Sequence, residues 1–187
     1  MKEPPKAFVF MKVGNHAGET FEQIIERKNE EFRKAGRIFW GYGGSACHPI
    51  KQVQPFAKEI VEAGGEVYVL MQEIDSRAHP TLLPATKYSE DGVNWTAIPE
   101  GIKVTGSRYA LVLDEITPAD FEVDTRNYLI GAGPSLGKNA AEYMKGHIDK
   151  ACLLSPDAQV ASKSAPKVKR IKLTARLIEP YAVLVKG

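Results

Sequence analysis

The run Phe39-Trp40-Gly41-Tyr42-Gly43-Gly44-Ser45-Ala46-Cys47-His48-Pro49 crowds aromatic rings, glycines, a hydroxyl, a thiol and an imidazole into one short stretch. Glycine permits positive φ and close backbone approach, and N–H groups left free in such a turn can face an anion. Cys47 offers a soft nucleophile and His48 a group that titrates near neutral pH, so these two are the candidate catalytic residues. Trp40, Tyr42, Gly43, Gly44, Ser45 and His48 are candidate ligand-binding residues, the aromatics as stacking faces or pocket walls. For Trp40, a plain core position at the end of a strand competes with that role.

Other loops carry similar chemistry. Gly14-Asn15-His16-Ala17-Gly18 adds Gly14 and His16, and Glu73-Ile74-Asp75-Ser76-Arg77-Ala78-His79-Pro80 adds Asp75, Arg77 and His79. Further on, Tyr128-Leu129-Ile130 runs into Gly131-Ala132-Gly133-Pro134-Ser135-Leu136-Gly137-Lys138-Asn139. As a phosphate loop of the GxxxxGK[ST] type it fails, with Ala132 at the first glycine position and Asn139 where the metal-binding hydroxyl belongs. The strand-glycine-helix order still offers a helix N-terminus to an anion, with Ser135 and Lys138 as contacts. Zinc could draw on His16, Cys47, His48 and His79, but only the adjacent Cys47-His48 lie close in sequence, so no metal site is expected. No dinucleotide fingerprint, nucleophile elbow or deaminase signature is present in proper form, and no cofactor is expected.

The elements that must position these loops follow from periodicity. Ala7 to Val13 is a near-continuous apolar run, the mark of a strand buried on both faces. From Glu19 to Ala35, Phe21, Ile24, Ile25 and Phe32 fall on one helical face, and Gly36 is the stop. Arg37 to Trp40 reads as a strand, Pro55 as the start of a helix with Phe56, Ala57, Ile60 and Val61 buried, and Glu66 to Met71 as a third strand. Such a β-α-β-α-β order predicts a Rossmann-like parallel half over residues 1–80, whose strands deliver His16, His48 and His79 to one carboxyl rim. The strand, the Gly43-Gly44 loop, the helix and Ala63-Gly64-Gly65-Glu66-Val67 resemble a short part of the nucleotide-binding Rossmann-like proteins of the lysine-decarboxylase-like group, without that group's catalytic Arg and Glu arrangement.

Residues 85–187 read as a β-rich half that extends the sheet with antiparallel strands, with one helix near 139–146. Asp91-Gly92 marks a hairpin between Ala85–Ser89 and Val93–Ile98, and Tyr109 to Leu113 a buried strand. Ile102 to Thr105 reads as a short strand and Thr117-Pro118-Ala119-Asp120 as a single helical turn. Ala151 to Leu154 is a short strand; Val168 to Leu177 alternates as a half-exposed one, and Pro180 separates it from a last strand, Tyr181 to Val185. Lys163, Lys167, Lys169, Arg170 and Lys172 form the basic cluster.

A chain of 187 residues with 43% hydrophobic and 26% charged residues fits one α/β domain, residues 1–187. A net charge of +2 disfavours a dedicated nucleic-acid surface. Widely separated Cys47 and Cys152, with no signal peptide and no membrane-length apolar run, lead to the expectation of a cytoplasmic protein with no membrane partner. A homo-oligomer in which C-terminal strands complete a neighbour's pocket is compatible with this pattern. The function expected is binding of a nucleotide-derived or otherwise phosphorylated small molecule without turnover, as in a sensor or sequestering protein. The rival is a transferase or hydrolase acting through Cys47 or a histidine, and a nucleic-acid module using the C-terminal lysines ranks third.

Overall fold

The computed structural model describes residues 1, 3–14, 19–43, 46–75, 83–144, 149–157 and 162–187. Strands β1 (Ala7–Gly14), β2 (Ile38–Tyr42), β3 (Tyr68–Ile74), β4 (Lys87–Ser89), β5 (Thr96–Ala97), β6 (Tyr109–Leu113), β7 (Thr117–Asp124), β8 (Leu129–Ile130), β9 (Lys150–Leu154) and β10 (Val168–Lys186) form one sheet. Helices α1 (Phe21–Ala35), α2 (Gln54–Glu62) and the short α3 (Ala140–Tyr143) accompany it, and a π-helical turn, Pro49–Val53, leads into α2. Among the described residues, no helix is long and apolar enough to cross a membrane.

The main sheet order is β2-β6-β10-β3-β1-β9-β8. Among the described residues β1 and β3 make the one parallel pair, and the remaining pairings are antiparallel. The protein is therefore mixed α/β, and the Rossmann-like parallel β-α-β-α-β half is corrected: β2 pairs with β6 and is separated from β3 by β6 and β10. A long connection permits a parallel neighbour without requiring one. Here the C-terminal strand takes the place between β2 and β3. Its first part pairs with β3 and β7, its last part with β6 and β4, with a register shift between Leu177 and Ala182. Tyr181, at φ 68°, lies inside that shift, so Pro180 bends the strand where the pattern predicts a break.

The same competition overturns the helical turn at Thr117–Asp120. Those residues open β7, which pairs with Val168 to Thr174 of β10, and ladder hydrogen bonds outweigh a local capping signal. Ile102 to Thr105 is likewise no strand, apart from an isolated bridge between Thr105 and Pro84. The Asp91 hairpin is present as β4 and β5. Its carboxylate accepts hydrogen bonds from the Asn94 and Val93 amides and from the Asn94 and Ser89 side chains, which hold it well below the usual carboxylate range.

Burial of β1 on both faces explains its apolar run. Val9, Met11 and Val13 enter one core with Ile38, Trp40 and Tyr42 of β2, while Phe8 and Phe10 enter a second core on the opposite face. The first core thus spans from β1 to β2 although these strands are not neighbours, through Val69 and Met71 of β3, Leu173 and Ala175 of β10 and Leu111 and Leu113 of β6.

Helix α1 is fixed at both ends. Thr20 and Gln23 form a reciprocal capping box, and Gly36, at φ 69°, closes the last turn. Its most buried residues are Ile24, Lys28 and Glu31, so a charged pair sits where an apolar stripe is expected. Lys28 Nζ donates to Glu31 Oε2 at 2.9 Å, to the Phe39 carbonyl at 2.6 Å and to the Lys103 carbonyl at 2.9 Å. Glu31 in turn accepts from the Phe39 amide at 2.8 Å and the Lys103 amide at 3.3 Å. Phe39 pairs with Val112 on one side, and the ion pair satisfies its backbone on the free edge. Burial pulls the Lys28 ammonium below the ordinary lysine value, with the Glu31 charge opposing that shift.

Removing one member of a buried pair strands the other. Lys28→Met is expected to cost about 3–5 kcal/mol in urea unfolding. A loss below about 0.5 kcal/mol, the level of an ordinary surface change, would show that Glu31 is solvated and the edge unsupported by it.

Candidate functional site

A cavity of about 320 Å³ opens between the carboxyl ends of β1 and β2, helix α1 and the 103–107 segment. Gly14 ends β1 at its wall, and Trp40, Gly41 and Gly43 line it from β2. So the ends of the first two strands do meet, by curvature of the sheet rather than by parallel adjacency. Strand β3 leads instead to Asp75, which is exposed and does not line the cavity.

Close approach sets this wall. A Cβ on Gly41 would lie 2.8 Å from Ser107 Oγ, so any larger residue there forces that hydroxyl to move. Gly43 leaves the Lys150 ammonium next to the end of β2, where a Cβ would sit 3.7 Å from Nζ. Lys150 opens β9, and strand alternation puts it on the same face as Cys152. Its ammonium lies 5.2 Å from the Tyr42 ring centroid, a cation–π contact, and 3.7 Å from Asp149.

Among the described residues, none that lines the cavity carries a carboxylate. The lining does include several basic residues, which differ in how committed they are. Lys28 is saturated by its three acceptors. Arg27 makes a bidentate pair with Glu19 at 2.7 and 2.8 Å, which raises its pKa further. Lys12 contributes from the end of β1, but alternation sends its side chain to the opposite face, towards Lys169. Lys150, with 15% of its side chain exposed, lies over the Tyr42 ring and 3.7 Å from Asp149, and Lys103 also lines the cavity, from the 103–107 segment.

His48 and Cys47 sit on the other side of Tyr42. His48 Nδ1 accepts from the Ile50 and Lys51 amides at 3.2 and 3.3 Å, capping the π-helical turn. With that nitrogen an acceptor, the neutral ring carries its proton on Nε2, 3.1 Å from the Tyr109 hydroxyl. Both nitrogens are thus occupied, which leaves the imidazole no free lone pair for a metal or a substrate proton. Cys47 lies beside Cys152, Sγ to Sγ 3.3 Å, and its carbonyl accepts from the Tyr42 hydroxyl at 3.0 Å. Burial drives the Tyr42 phenol far above its ordinary value.

Of the remaining candidates, His16, Gly44, Ser45, Arg77 and His79 lie outside the described residues. Ser135 and Lys138 occupy the turn between β8 and α3, away from the cavity lining. Amides there are used internally: Gly137 donates to the Ile130 carbonyl and Lys138 to the Ser135 carbonyl, and the Asn139 side chain caps α3. The basic C-terminal cluster is partly paired as well, with Arg170 and Lys172 sharing Asp120. Sequence reasoning marked Gly41 among the glycines of the central stretch but missed Ser107 and Lys150. For Lys150 the signal was its place two residues before Cys152 in a strand; for Ser107 there was none.

No family model matches this chain, and neither does any curated protein or solved structure.

The wall geometry predicts a coupled pair. Gly41→Ala is expected to cost about 1–3 kcal/mol in thermal unfolding through the clash with Ser107. Adding Ser107→Ala should restore part of that loss, because the crowded hydroxyl is then gone. Strictly additive effects in the four-variant cycle would disprove the close approach.

Proposed function

We propose that this protein binds a nucleotide-derived or otherwise phosphorylated small molecule in the cavity between β1 and β2, without chemical turnover. What carries the reading is the Lys150 ammonium beside Gly43 in a cavity lined, among the described residues, by no carboxylate. An anion there meets a cation on one side and the glycine-rich end of β2 on the other. Glycine backbone and a lysine head group are the means by which phosphate is commonly held. Trp40 and Val13 add apolar wall to the same space, which suits a ligand with a flat, poorly hydrated part. At about 320 Å³ the cavity lies near the lower end of the range for small-molecule sites, so a compact ligand is favoured over a polymer.

Binding is favoured over turnover by the state of the reactive groups. His48 is occupied at both nitrogens, and the Cys47 thiol faces Cys152. A nucleophile needs a base within reach, and among the described residues neither histidine nor carboxylate is hydrogen-bonded to Cys47.

A calorimetric panel of nucleoside mono- and diphosphates beside the matching nucleosides tests the reading. At least one phosphorylated member should bind about tenfold or more tightly than its nucleoside, and Lys150→Gln should remove most of that difference, since a charge-assisted contact contributes roughly 1.5–3 kcal/mol. Chromatography of the heat-released ligand should return it intact. Equal binding of nucleoside and nucleotide would refute the phosphate site, and a chemically altered product would put the enzyme reading in its place.

A further inference from the structure

Cys47 and Cys152 are separated by 105 positions in the chain, yet their sulfurs stand 3.3 Å apart. The two are unlike. Cys47 follows β2, is half-buried and holds a left-handed backbone at φ 53°, uncommon for a residue with a side chain. Cys152 lies in the middle of β9, paired with Val9 and 1% exposed. Both are free thiols. A core that needed only two small apolar side chains here would not require a strained backbone at one of them.

We infer that Cys47 and Cys152 form a reactive dithiol that is reversibly oxidised to an intramolecular disulfide by small-molecule disulfides, with Cys47 as the entry thiol and Cys152 as the resolving thiol. The roles follow from position: a reagent reaches the half-buried Cys47, and Cys152, enclosed in β9, meets that reagent only through Cys47. Electrostatics agree. A hydrogen bond from the Cys152 thiol, with help from Tyr42 and the Lys150 charge, holds the Cys47 thiol below its ordinary pKa despite burial. The Cys152 thiol is pushed well above its own, first by that hydrogen bond to Cys47 and then by burial, so it keeps its proton until the second step.

The chemistry balances as two exchanges. The Cys47 thiolate attacks one sulfur of a disulfide RSSR, the RS–SR bond breaks as a Cys47–SR bond forms, and the expelled RS⁻ takes up the proton that Cys47 released to give RSH. Cys152 then loses its proton, its sulfur attacks Cys47 Sγ, and the second RS⁻ departs as RSH. Two protein thiols are oxidised by two electrons, and one RSSR is reduced to two RSH. The 3.3 Å separation is already within the range of a near-attack geometry for the second step. This site is independent of the phosphate reading and stands if that reading fails.

The test treats folded protein with oxidised glutathione and follows intact mass, then peptide mapping without reduction. Wild type should lose two hydrogens and yield a Cys47–Cys152 cross-linked peptide, reversed by excess reduced glutathione. Cys152→Ser should stop at a stable glutathione adduct on Cys47, and Cys47→Ser should remain unmodified over the same period. Wild-type protein that stays a dithiol, or that accumulates the adduct without resolving, would overturn the proposal. So would a Cys47→Ser variant modified at Cys152 as fast as wild type reacts. Cross-link mapping on the wild type decides the matter should either serine variant fail to fold.

Discussion

The buried Lys28–Glu31 pair is the constraint on which the described half of the cavity rests. Two charges removed from water destabilise a fold unless every donor and acceptor is matched. Here the match is made with backbone. Glu31 takes the amides of Phe39 and Lys103, and Lys28 takes their carbonyls. The pair thus does for β2 and the 103 segment what an intervening strand would do, supplying both sets of edge partners from side chains of one helix. It fixes the distance between α1, β2 and that segment, and those are three of the walls around the cavity. An edge closed by a buried ion pair also presents no free row of backbone groups to another chain at Phe39.

Beyond that wall, Tyr42 is the element shared by the two sites. Its ring sits under the Lys150 ammonium on the cavity side, and its hydroxyl reaches the Cys47 carbonyl on the other. Buried, it contacts both Lys150 and the Cys47 backbone, and the Lys150 charge also lowers the Cys47 thiol's pKa, so the lysine and the dithiol are electrostatically linked. Cys152 and Lys150 are two positions apart on one face of β9, so the same strand supplies both sites.

Local features were legible in the sequence and long-range ones were not. The apolar run of β1, the capped helix α1, the Asp91 hairpin and the proline start of α2 each depend on residues within a few positions of one another. Sheet order depends on which strands compete for an edge, and nothing near β2 records that β6 and β10 lie between it and β3. Lys28 and Glu31 carry no local sign of burial, since i,i+3 pairs on a helix are usually solvated; only the approach of Phe39 and Lys103 makes them core. Of the run at 40–43, Trp40, Gly41 and Gly43 line the cavity. Lys150 escaped because its strand was read as beginning one residue later, at Ala151, and the cysteine pair escaped because sequence separation carries no information about sulfur distance.

Charge accounting explains why Lys150 and Lys103, rather than the basic count, matter to the cavity. Lys28 is neutralised by Glu31 and Arg27 by Glu19, and each pair is close enough that its field cancels over a few ångströms. Lys12 faces away. Asp149 is 3.7 Å from Lys150 and 44% of its side chain is exposed, so solvent screens it more than it screens the ammonium beside Tyr42. Lys103, exposed and also lining the cavity, adds positive charge on the 103–107 side, so the wall is basic both there and at the end of β2. Trp40 and Val13 line the same cavity with apolar surface, so charged and apolar walls share one small space.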